Sequence, residues 1–145
     1  SEQLGYQIFK QKCTGCHKEP LLSDFSFRNI GLQIDYTLND FGRIDITKDT
    51  NDLMKFRVPS LRNVQVTFPY GHDGRFPRLF GILQHYNQII DYPNNDPLIK
   101  NMQLSNNNIG ALISFLNTLT DSTFLTNKLF VPNGYSISPS LMHSH

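Results

Sequence analysis

The chain has 145 residues, 39% of them hydrophobic, 12% aromatic and 17% charged, with a formal net charge of +1. Those are the proportions of one globular domain, long enough to bury roughly 70% of the surface its unfolded form exposes. So small a net charge gives no electrostatic reason to expect nucleic acid or an anionic membrane surface. No apolar run approaches the roughly 20 residues that span a bilayer. The opening residues "SEQLGYQIFK" carry neither the basic nor the apolar region of a signal peptide. A start at Ser1 suits a processed or excised piece, so nothing about the compartment follows from it.

In chain order, residues 2–17 read as an amphipathic helix, with Leu4 and Ile8 on one stripe and Gly5 and Phe9 on the next. Such a helix delivers Cys13, Cys16 and His17 to one side, because positions three and four apart share a face. From Pro20 to about Met54 periodicity fades into irregular loop with a short β-pair. In residues 55–76, Pro59, Pro69, Gly71 and Gly74 predict a loop held by turns, with at most a helical turn at Ser60 to Val64. Pro77 then opens a helix running to Ile90, with Leu79, Ile82, Leu83 and Tyr86 at helical spacing. Pro93 and Pro97 break the chain before a last clear helix over residues 105–120, capped by Ser105 and striped by Ile109, Leu112, Ile113, Leu116 and Leu119. Residues 121–145 are rich in Ser, Pro and Asn yet carry Phe124, Leu125, Leu129, Phe130 and Tyr135. Such a tail wraps the domain or packs on a partner.

The only two cysteines of the chain stand in "KCTGCHKEP", with His17 directly after Cys16. A Cys-x-x-Cys pair serves as a redox dithiol, half a zinc site, a local disulfide, or the thioether anchors of a haem. No βαβ pattern follows to support the first, and no second knuckle of ligands supports the second. The adjacent histidine is where a c-type haem takes its proximal imidazole, so covalent haem is the expectation.

With those elements in place the chain resembles the C-terminal cytochrome c domain of bacterial di-haem cytochrome c peroxidases and their MauG-like relatives. The match is carried by "GYQIF" before "CTGCH", then "FSFRNIGL", "DFGR", "FRVPSLRNVQVTFPYGHDGRF", "LFGILQHYN", "QLS" and "ISFLNTLTD", covering nearly all of residues 4–121. The resemblance implies an all-α, cytochrome c-like domain with long irregular loops over residues 1–121, and leaves 122–145 as a tail that is extended or packed on the domain or a partner. It implies one covalent haem c and a periplasmic location, since haem is attached outside the cytoplasm. It also implies three partners: a second haem domain N-terminal to this one, hydrogen peroxide reacting at that other haem, and a small electron-donor protein. Gly5 and Phe9 against Phe115 would form the close crossing of first and last helices found in cytochrome c folds.

His17 supplies one axial bond to iron, and the opposite side decides the chemistry. Met54, Met102, Met142, His72, His85, Tyr70 and Tyr86 are the candidates. Met102 precedes the final helix, as the ligand of a simple cytochrome c does, but core packing suits it better. Met54 lies in a polar, exposed-looking run. In the peroxidases the ligand is a methionine fourteen residues after the histidine of the HDG motif, and MauG-like members have a tyrosine there. Fourteen residues after His72 stands Tyr86. A phenolate ligand favours Fe(III) and higher states over Fe(II), giving a low-potential haem suited to holding oxidising equivalents.

The resemblance further implies that Pro59 and Leu61 border the ring. His72 would lie near the haem edge, holding its loop by hydrogen bonds. Arg62 and Arg57 would meet the haem propionates or form surface ion pairs. The backbone carbonyls of Thr67 and Pro69 would bind Ca²⁺ at a junction with the other domain. Two further readings stay open: a stand-alone mono-haem electron carrier ligated by Met102, and a haem-free module using the cysteines for redox or metal chemistry.

Overall fold

The structure is a computed structural model, and it describes residues 1–131. It is helix-rich, with a single two-stranded antiparallel pair among the described residues. The elements run α1 (Glu2–Lys12), β1 (Phe27–Arg28), α2 (Ile44–Thr47), β2 (Phe56–Arg57), α3 (Leu79–His85), α4 (Asn106–Asn117) and α5 (Ser122–Leu125). Short 3₁₀ turns fall at Thr50–Asp52, Val64–Val66 and Lys128–Phe130.

The core is built where α1 crosses α4. Phe9 and Ile109 are fully buried there, with Leu112, Phe115 and Leu116 beside them. Each such side chain contributes about 1.5–3 kcal/mol on leaving water. The crossing is close because Gly5 has no side chain: a Cβ there would lie 2.0 Å from the Ala111 carbonyl oxygen. Phe115 packs against both Tyr6 and Phe9, with ring centroids 5.2 and 5.1 Å apart and tilted planes, the geometry aromatic pairs favour. Ser105 caps α4 in a reciprocal box with Asn108, satisfying two of the amides that a helix start leaves orphaned.

Several boundaries differ from expectation. The first helix ends at Lys12, not at residue 17, so the cysteine motif lies in the tight turns that follow. Thr14 Oγ1 donates to the Lys10 carbonyl at 2.8 Å, and the amides of Cys16 and His17 both turn back to the Cys13 carbonyl. The helix expected from Pro77 to Ile90 is only Leu79–His85. Asn87 ends it by committing its side chain to the backbone of Leu104, with both bonds at 2.7 Å. The helical turn expected at Ser60 to Val64 forms one step later, as the 3₁₀ turn Val64–Val66. The short β-pair exists, yet β1 takes its partner β2 from beyond Met54. Tyr135 and Met142 lie outside the described residues.

Candidate haem-attachment site

Cys13 is the C-terminal cap of α1, its amide bonded to the Phe9 carbonyl at 2.8 Å, so its sulfur is held on the core side of the helix end. Burial, and then the charge of Cys16, push the Cys13 thiol up to about 12. Burial also raises Cys16. Both are free thiols, not bridged to one another.

His17 is held by its ring. Nδ1 donates to the Leu22 carbonyl at 3.1 Å, and the Pro59 carbonyl also lies within hydrogen-bonding reach of the ring. Burial pushes the His17 imidazole down, keeping it neutral. With the proton fixed on Nδ1, the lone pair of Nε2 is the free donor, the tautomer an iron ligand requires.

Tyr86 follows α3 directly. It is half-buried, and its phenol is pushed up first by burial and then by the charges of Cys13 and Cys16, with no hydrogen bond contributing. Two of the other candidates already have partners. His85 Nε2 donates to the Ile30 carbonyl at 2.8 Å, and the Tyr70 hydroxyl donates to the Val64 carbonyl at 2.8 Å. Met102 packs against the core and gives its amide to the Tyr86 carbonyl. Met54 is 4% exposed, contrary to the exposed setting expected for it, because its amide bonds to the Phe41 carbonyl and tucks the residue under that loop. Two thiols, an imidazole with Nε2 open and a half-buried phenol without a hydrogen bond among the described residues are donors that would suit a covalent haem.

The remaining site residues are placed as follows. Pro59 is exposed, with its carbonyl turned to His17, and Leu61 packs against the core. Arg62 donates to the Pro20 carbonyl at 3.0 Å, and Arg57 lies over the Phe25 ring. Neither arginine forms an ion pair among the described residues. His72 stacks on Phe56 at 3.8 Å between centroids, and its buried Nδ1 has no partner. Its loop is therefore held by stacking and by Arg75, which bonds Asp73 at 2.7 Å, and not by hydrogen bonds from His72 as expected. The Thr67 and Pro69 carbonyls accept no backbone hydrogen bond among the described residues.

Sequence reasoning missed a second polar cluster beside the motif. Arg28 bonds Asp24 at 2.7 Å, Asp96 at 2.8 Å and Ser26 at 2.8 Å, joining segments 68 residues apart. No local pattern marks such a cluster. It becomes visible only when the loop after α3 returns to β1.

A chain that crosses its first helix over α4 and sets two thiols and a tautomer-fixed imidazole at the end of that first helix is a cytochrome c-type domain. No protein-family model matches it. It is 40% identical over 89 residues to cytochrome c peroxidase Ccp of Escherichia coli K12, covering 57% of this chain and 19% of that protein. It is 33% identical over 128 residues to the methylamine utilization protein MauG of Methylophilus methylotrophus, covering 82% of this chain and 36% of that protein. Among solved structures, a MauG-like protein associated with microbial copper homeostasis superposes with a TM-score of 0.79 at 32% identity, covering 89% of this chain and 49% of that one. The chain belongs to the bacterial di-haem cytochrome c peroxidase and MauG family, and it spans half or less of the length of each of these relatives.

Proposed function

We propose that this chain is the C-terminal, electron-transfer haem domain of a periplasmic di-haem oxidoreductase, with its axial ligation of the MauG-like kind. When bound, the haem supplies a one-electron iron couple. Cys13 and Cys16 would hold the porphyrin covalently, and His17 Nε2 and the Tyr86 phenol would be the donors to its iron. The observation that carries this reading is the Tyr86 phenol, half-buried, within charge reach of both cysteines and without a hydrogen bond among the described residues, while His85 and Tyr70 are occupied elsewhere.

The residues do the tuning. In the polypeptide alone Tyr86 stays protonated, and a ferric centre beside it supplies the positive charge that favours phenolate. The Leu22 and Pro59 carbonyls hold the His17 proton on Nδ1 and orient the ring. An anionic oxygen donor from Tyr86 would favour the oxidised metal, which would suit this domain to relaying or storing oxidising equivalents for a second haem domain where hydrogen peroxide would react. A small donor protein closes the electron circuit. The free Thr67 and Pro69 carbonyls support a Ca²⁺ ion at the junction with that second domain, hard oxygen donors being what the ion takes.

The test is to mature the chain with haem and compare ferric spectra of wild type, Tyr86→Phe and Met102→Leu. A phenolate-to-iron band present in wild type and Met102→Leu but absent in Tyr86→Phe is the expected result. A spectrum insensitive to Tyr86 and altered by Met102 would instead make the domain a methionine-ligated carrier.

A further inference from the structure

We propose that Asp24, Arg28 and Asp96 form a buried charge triad that holds the reduction potential of the haem down. This rests on the covalent-haem reading above and concerns residues that take no part in attaching or ligating the group.

The triad is a built structure. Arg28 Nη2 meets Asp24 Oδ2 at 2.7 Å, Nη1 meets Asp96 Oδ2 at 2.8 Å, and Nε donates to Ser26 Oγ at 2.8 Å. The side chains of Arg28, Asp24 and Asp96 keep only 16%, 10% and 13% of their exposure, so solvent screens them poorly. One cation against two carboxylates leaves a net charge of −1.

Two contacts place that charge at the haem motif. The Asp24 amide donates to the Cys16 carbonyl at 2.8 Å. Asp96 anchors the other side: its amide donates to Asn29, its Oδ1 accepts from the Leu98 amide, and Leu98 Cδ1 lies 3.3 Å from where a Cβ on Gly15 would stand. Leu98 thus covers the turn between the two cysteines. Cys16 feels Arg28, Asp96 and Asp24 in turn, and His17 feels Asp24 and Arg28. The other charge acting on Cys16 is Lys18, which is exposed and screened by water.

The Asp24 carboxylate is kept ionised by its partners. Hydrogen bonds from the Ser26 hydroxyl and amide and from Arg28 hold the Asp24 carboxyl well below the usual carboxylate range, against the opposing effect of burial. A net negative cluster stabilises the more positive, oxidised iron and therefore opposes reduction. In a partly buried setting a unit charge at about 10 Å shifts such an equilibrium by roughly tenfold.

The experiment measures the midpoint potential of the matured chain, by spectroelectrochemistry, in wild type, Asp24→Asn, Asp96→Asn and Arg28→Lys. Mass spectrometry establishes haem attachment in each. Each Asp→Asn change is expected to move the equilibrium several-fold to about tenfold towards the reduced form, with visible spectra unchanged, and Arg28→Lys, which keeps the charge, to stay near wild type. A purely structural role would not give shifts that follow the sign of the charge. If one Asp variant fails to mature, the other carries the test. Potentials unchanged or lowered in the Asp variants, with haem attached, overturn the triad. A wild-type chain that emerges from maturation without haem overturns the haem reading instead, and the triad with it.

Discussion

Adding one methyl group at Gly5 and one at Gly110 is expected to have opposite effects on stability, although both sites are helical glycines. Gly→Ala in a helix interior is worth about 1 kcal/mol in favour of alanine, from backbone entropy alone. At Gly110 a Cβ meets nothing within 4 Å, so that gain is expected nearly whole. At Gly5 the Cβ would lie 2.0 Å from the Ala111 oxygen, 2.7 Å from its carbonyl carbon and 2.8 Å from Phe115 Cβ. Ordinary contact begins near 3.4 Å, so α1 and α4 would have to part by about 1.4 Å. Two of the three obstructing atoms are backbone, which no rotamer change can move aside. Parting the helices unpacks Phe9, Ile109 and Phe115 together, and overpacking a core costs about 1–3 kcal/mol or more. The net expectation is about 2 kcal/mol lost for Gly5→Ala and about 1 kcal/mol gained for Gly110→Ala. For a domain of this size that corresponds to a Tm lower by about 6 °C and higher by about 3 °C respectively. Thermal unfolding of the matured chain followed by circular dichroism reads both. Gly5→Ala unfolding at or above the wild-type temperature would refute the close crossing on which the fold rests.

Two further outcomes are expected. Asn87→Ala removes the side chain that satisfies both the amide and the carbonyl of Leu104, a buried residue. Leaving those groups unpaired is expected to cost about 2–3 kcal/mol in urea unfolding and to perturb the Tyr86 ligand band, because Asn87 sets where α3 stops. Acid unfolding should also depend on Asp24 and Asp73, whose folded values lie below the ordinary 3.8. Burial would raise Asp73, but the Arg75 hydrogen bonds and charge outweigh it. As pH falls below about 4 the unfolded chain takes up protons that the folded one refuses, so stability declines there. Denaturant titrations between pH 5 and 2 should show a shallower decline for Asp24→Asn than for wild type, and equal slopes would count against the assignment.

Local pattern made much of this protein legible. The stripes of α1 and α4 and the Ser105 cap rest on neighbours within a turn or so. The Cys-x-x-Cys-His motif is likewise written in five consecutive residues, so the cofactor could be read without any fold. Two of the misjudged features depended on distant segments. Met54 looked exposed because its neighbours are polar, and only the bond to Phe41 buries it. The third helix looked longer because its apolar spacing continues to Ile90, while Asn87 withdraws the chain towards Leu104.

The sequence by itself determined the Cys-x-x-Cys-His motif and the pair of helices that frame it, because a five-residue motif and a 3.6-residue period need only local spacing. Only the tertiary structure decided that His85 and Tyr70 commit their polar atoms to the Ile30 and Val64 carbonyls. It also decided that Arg28 would be shared between Asp24 and Asp96. Charge acts through space with poor screening in a half-buried setting, so residues far apart in the chain come to govern the same few ångströms.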